Sequence, residues 1–114
     1  MSRIPIIAAN WKMYKTGEEA QKFLHELYQR LPEPTVMVFI APSFTALLPA
    51  AIAAEEMSYL LGAQNMHEGE EGAFTGEISA KMIKEVGASF VIIGHSERRR
   101  IFHESDETIH QKLK

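Results

Sequence analysis

The stretch VIIGHSERRR, residues 91–100, decides how the chain is read. An apolar run ends at Gly94, and a histidine, a serine and a glutamate follow at once. In a parallel α/β sheet a buried strand delivers its functional groups at its carboxyl end, where the loop begins. Working outward from it, the same rhythm recurs: IPIIAA (4–9), VMVFIA (36–41), YLLGA (59–63) and FVIIG (90–94). These runs are continuous rather than alternating, which is how strands covered on both faces read. Pro5 lies near the start of its strand, where a missing ladder donor is tolerated.

Helical patterns separate the runs. Thr16 and Glu19 have the spacing of a capping box, and Ala20, Phe23, Leu24, Leu27, Tyr28 and Leu31 recur as one apolar stripe. The prolines of LPEP end that helix. SFTALLPAAIAAEE is interrupted by Pro49 and reads as a turn leading into a helix from about Pro49. SAKMIKEVG reads as a helix with Ser79 as N-cap and Gly87 as C-cap, and SDETIHQKLK as another beginning near Ser105. The order βαβαβαβα, in units of roughly thirty residues, predicts parallel strands with right-handed crossovers. All of residues 1–114 form one unit, and the long loop NMHEGEEGAFTGEI (65–78) is of a length usually reserved for function.

Composition narrows the partners. Apolar residues make up 46% of the chain and the net charge is −3, which speaks against disorder and against nucleic acid or anionic membrane as partner. The one basic run, RRR at 98–100, reads as a solvated helix face. Cysteine is absent, the apolar stretch at the N-terminus is too short for a signal-peptide core, and no run approaches the ~20 residues of a membrane span. The expected setting is the cytoplasm.

Three polar groups fall at strand ends and face one edge of the sheet: Asn10 with Lys12, Gln64 with Asn65, and His95 with Ser96 and Glu97. By position alone Lys12 is either a surface lysine beside a turn or a fixed cation for a phosphate or carboxylate. Asn10 is either a turn former or a partner for Lys12 or a substrate oxygen. His95 precedes a helix start, where exposed N–H groups disfavour an imidazolium, so a neutral ring could donate to a carbonyl oxygen. The other reading is a structural histidine, with Ser96 capping the turn. His67, Glu68, Glu70 and Glu71 match no metal-ligand spacing and read as a solvated acidic loop. Neither a P-loop nor a G-x-S-x-G elbow is present, and no cofactor or metal is expected.

Taken together, NWKM, GAQN, GAFTGEIS and GHSERRR, in this order and spacing, resemble the triosephosphate isomerase family over the whole chain. The resemblance implies an aldose–ketose isomerase of glycolysis and gluconeogenesis acting on glyceraldehyde 3-phosphate and dihydroxyacetone phosphate. It implies that Asn10 and Lys12 line the substrate pocket, that His95 is the neutral electrophile, and that Glu97 supports the site. The family is itself the standing example of a neutral histidine paired with a glutamate base, and that role is taken over from it. It further implies that Phe74, Thr75 and Gly76 of the long loop contact a neighbouring subunit. Ala9 stands where many members carry glycine.

A (β/α)₈ barrel takes about 250 residues, so the sequence supplies a (βα)₄ half. The family's catalytic glutamate and lid follow the sixth strand, and its phosphate grip comes from loops after strands seven and eight. Four strands alone leave two bare edges and an exposed apolar face. A second copy rotated by 180° would set strand four of each beside strand one of the other and close the barrel as an isologous homodimer. The partner's second strand, ending FIAPSF (39–44), would then occupy the place of strand six and brings no carboxylate. The expectation is a self-assembling half-barrel, dimeric or through the long loop tetrameric. It would bind triose phosphate or another small anion weakly and have no or trace activity alone. The alternative is the N-terminal component of an isomerase completed by a separate C-terminal half chain.

Overall fold

The computed structural model describes residues 3–114. Along the chain come β1 (Ile6–Asn10), α1 (Gly17–Arg30), β2 (Met37–Ala41), α2 (Phe44–Ala53), β3 (Leu60–Ala63), α3 (Ala80–Glu85), β4 (Phe90–Val91), α4 (Ser96–Ile101) and α5 (Asp106–Leu113). The strands form one parallel sheet in the order β1-β2-β3-β4. This is the parallel βα arrangement that the strand rhythm predicts, and the (βα)₄ half of a TIM barrel that the family resemblance implies.

Register divides the sheet into two faces. Ile7 pairs with Val38, Ala9 with Ile40, Ile40 with Leu61 and Ala63 with Val91, so these side chains share one face. Val38, Ile40, Leu61 and Ala63 on it are buried in one cluster with Leu24 of α1, Ala46, Leu47 and Ala50 of α2 and Ile83 of α3. The opposite face carries Ile6, Met37, Phe39, Leu60 and Phe90. There the Phe39 and Phe90 rings stack with centroids 5.0 Å apart. Gly62 lies between their strands, and a Cβ at that position would come within 2.6 Å of the Phe90 ring.

Local signals account for the helices. Thr16 accepts from the Glu19 N–H while the Glu19 carboxylate accepts from the Thr16 N–H, completing the capping box. The bond from the Thr16 N–H first, and the Thr16 hydroxyl next, hold the Glu19 carboxyl below its usual range. Ser79 and Ser105 cap α3 and α5 as expected, each accepting from a backbone N–H three residues on. Gly87 follows α3 at φ +106°, where its N–H and that of Ala88 close the helix end onto Lys84 and Ile83.

Three expectations need correction. The second helix begins at Phe44, not near Pro49, and holds Pro49 inside it. Burial of Ala46, Leu47 and Ala50 offsets the donor that proline lacks, and Gly17 lets its ring approach α1: a Cβ there would lie 2.8 Å from Pro49 Cγ. The fourth strand is read over 90–94 but pairs only through Phe90 and Val91. Beyond them the chain turns off at Gly94, φ +71°, and β4 has a strand on one side only. A six-residue helix, α4, follows it, capped by His95 rather than by Ser96.

Candidate functional site

Loops at the carboxyl ends of β1, β3 and β4 enclose a cleft of about 270 Å³ lined by Asn10, Lys12, Gln64, Asn65, His95 and Glu97, among others. Every strand-end residue singled out in the sequence except Ser96 is in that lining.

Lys12 is held by its backbone first. Its φ is +55°, a left-handed conformation that a side chain with a Cβ rarely adopts. Two bonds fix it there: the Asn10 Oδ1 accepts from the Lys12 N–H at 2.9 Å, and Gln64 Nε2 donates to the Lys12 carbonyl at 2.9 Å. The second N–H of the same Gln64 amide goes to the Ala41 carbonyl at 2.8 Å, which also accepts from the Trp11 N–H. The ends of β1, β2 and β3 are thereby tied together behind Lys12. Trp11 is the packing residue there, buried and edge-on to Phe23.

The Lys12 ammonium lies 2.7 Å from Glu97 Oε1. That hydrogen bond raises the Lys12 pKa and lowers that of Glu97, so the pair is ionised at neutral pH. Both groups are open to solvent, with side chains 49% and 36% exposed, and bulk water screens much of the attraction.

His95 presents its Nδ1 to the Glu97 N–H at 3.0 Å, so that nitrogen is an acceptor. The ring is therefore neutral with its proton on Nε2, the tautomer that can donate to a substrate oxygen. Glu97 Oε2 stands 3.8 Å from the same Nδ1. Because Nδ1 carries no proton in this arrangement, that approach is not an ion pair. The ring thus caps α4 through one nitrogen and leaves the other available.

Glu97 is the only carboxylate in the cleft lining among the described residues, and Lys12 neutralises it. Also among the described residues, no three histidine, aspartate or glutamate side chains gather into a group that could hold a metal ion. No helix among them is long and apolar enough to cross a membrane.

A buried cluster behind the cleft has no counterpart in the sequence reading. Lys112 Nζ, on α5, donates to Asn65 Oδ1 at 2.8 Å and to Glu104 Oε2 at 2.7 Å. Arg98 Nε donates to the same Oε2 at 3.0 Å. Burial pushes the Glu104 carboxyl up, and the bonds from Lys112 and Arg98 more than reverse that, leaving it below its usual range. Lysine and arginine on terminal helices read as surface charge; only the tertiary fold shows Lys112 buried and aimed at Asn65.

Phe74, Thr75 and Gly76 lie outside this cleft, in the long loop, where all three are exposed. The loop is not simply an acidic solvated strap. His67 is packed inside it, 4.2 Å from the Phe74 ring, with its side chain 13% exposed.

Comparison with known proteins fits this geometry. The family model for triosephosphate isomerase matches residues 5–114. The triosephosphate isomerase of Carboxydothermus hydrogenoformans is 52% identical over 113 residues, covering 98% of this chain and 45% of that protein. That of Alkaliphilus metalliredigens is 50% identical over 112 residues with the same coverage. A crystal structure of triosephosphate isomerase from Bartonella henselae superimposes with a TM-score of 0.86 at 42% identity, covering 96% of this chain and 44% of that one. The chain spans about 45% of the length of the curated relatives it matches. Matched along nearly its whole length by family model, relatives and fold, the chain belongs to the triosephosphate isomerase family.

Proposed function

We propose that this chain is the electrophile half of a triose phosphate site, built on a half-barrel that self-associates and is inactive or nearly so by itself. Asn10 and Lys12 bind the substrate, with Lys12 offering charge to its phosphate, and the His95 Nε2–H polarises the carbonyl of glyceraldehyde 3-phosphate or dihydroxyacetone phosphate. Glu97 supports the site by orienting Lys12. The observation that carries this reading is the convergence of these four residues on one cleft, whose sole carboxylate among the described residues is engaged by Lys12. A carboxylate held ionised by a lysine, with its pKa lowered, is a poor proton acceptor from carbon. Loss of a general base alone forfeits about 10²–10⁴-fold in rate. The setting this implies is the cytoplasm, in glycolysis and gluconeogenesis.

Self-association is supported by the two edges of the sheet. β1 and β4 each have a strand on one side only, and Ile6 and Ile7 of β1 are 54% and 59% exposed. Pairing β1 of one copy with β4 of another would cover both and complete eight strands; a second pairing through Phe74, Thr75 and Gly76 would give a tetramer. Light scattering of the 114-residue chain should return two or four chains at every dilution, and isomerisation should stay at background. A monomer would overturn the assembly. Turnover that His95→Ala abolishes would overturn the inactivity. The same edges would also accept a separate C-terminal half chain, and recovery of activity on mixing with one would favour that reading.

A further inference from the structure

The long loop is organised around His67, and its hydrogen bonds depend on that ring's protonation. The backbone of His67 is anchored, since its N–H donates to the Ile78 carbonyl at 2.8 Å across a bridge to Ser79. On the ring, Nδ1 accepts from the Gly69 N–H at 2.9 Å. Nε2 lies 3.0 Å from Glu68 Oε1. One nitrogen must therefore be a bare acceptor and the other a donor, which only the neutral Nε2–H tautomer satisfies. The Phe74 ring lies against the imidazole, and Gly72, at φ +146°, closes the turn so tightly that a Cβ there would come within 2.8 Å of Phe74.

A proton on Nδ1 removes the acceptor that Gly69 uses and points a new donor into the loop. Carboxylates stand ready for it: Glu70, Glu71 and Glu77 line the same 140 Å³ cleft as His67 and Gly69. Glu68 keeps its bond to Nε2 in either state. On the ring's other side, Arg98, His103, Glu104 and Lys112 share a second cleft with it. Among these, Glu104 already pairs with Lys112 and Arg98, so the free acceptors are the loop's own glutamates. Two hydrogen-bond arrangements of one loop thus differ by one proton.

We propose that His67 is the pivot of a pH-dependent rearrangement of residues 66–78. With the ring neutral, the Gly69 turn is closed and Phe74 is stacked. With the ring protonated, both nitrogens donate to carboxylates, the Gly69 N–H is released, and the segment carrying Phe74, Thr75 and Gly76 shifts. Any surface that those three residues present changes with the protonation of that ring.

Residue-resolved nitrogen NMR on the full 114-residue chain tests this directly. At alkaline pH, His67 should show the Nε2–H tautomer. As its ring titrates, the Gly69 amide should lose protection from exchange by about tenfold, the order expected for one hydrogen bond, and the Phe74 ring signals should move in step. His67→Phe, which keeps a ring for stacking, should abolish the pH dependence at both sites. The proposal is overturned by an Nδ1–H tautomer at alkaline pH, or by Gly69 protection that stays constant while His67 titrates. Following His103 in the same spectra separates its titration from that of His67. If His67→Phe fails to fold, the wild-type titration alone still decides the outcome.

Discussion

Two lysine–glutamate pairs of equal length stand about this site, and they do opposite things. Lys12 and Glu97 meet at 2.7 Å with side chains 49% and 36% exposed. Lys112 and Glu104 meet at the same 2.7 Å with side chains 3% and 5% exposed. The first pair is solvated, screened and replaceable, so a ligand anion can compete for its ammonium at little cost. The second is desolvated and carries further obligations, because Lys112 also holds Asn65 and Arg98 also holds Glu104. Its bonds are unevenly spread: both cations donate to Oε2, and Oε1 is buried with no partner. Distance therefore does not tell the open pair from the bracing one; burial does.

The difference can be broken most forcefully at Lys112. Lys112→Met leaves a buried carboxylate short of a partner and should cost about 3 kcal/mol, the low end for such a loss because Arg98 remains. Urea melts should show the midpoint falling with the slope unchanged. Acid sharpens the contrast next. Glu104 has its folded-state pKa lowered, so its contribution is present above the unfolded carboxylate value and is lost as pH falls through the folded value. The stability gap between wild type and Glu104→Gln should accordingly narrow as pH falls from neutral to below the usual carboxylate range. The smallest effect belongs to the exposed pair. Lys12→Met should leave the urea midpoint nearly unmoved, while the Glu97 carboxyl signal titrates at higher pH than in wild type.

How far the sequence foretells this molecule follows from the range of the interactions involved. Strands, caps and crossovers depend on neighbours a few residues away, and Thr16, Ser79, Gly87 and Ser105 fall where their types require. Strand-end position likewise brought Asn10, Lys12, His95 and Glu97 to one edge. The α4 helix showed in the sequence only as a helix start after His95 and a solvated RRR face, not as an element in the chain order, because SERRRI is short and has no buried residue. The start of α2 was misplaced because a proline inside a helix looks like a boundary until the glycine beneath it is known. Gln64 showed its location but not its double bond to the Lys12 and Ala41 carbonyls, and the Lys112–Glu104–Asn65 links join segments whose spacing carries no pattern.

The strand order also shapes how the chain folds. Because β1, β2, β3 and β4 lie side by side in chain order, each strand docks only on the one just before it or just after it. Every such contact closes a loop of a few tens of residues, and closure entropy grows only slowly with length. The sheet can therefore grow one unit at a time, from the five-residue register of β1 with β2 towards the two-residue register of β4. Such a chain can end a fold at any unit boundary without undoing the pairs already made, so β4 is the natural place for fraying, for exchange with solvent and for the addition of the next strand.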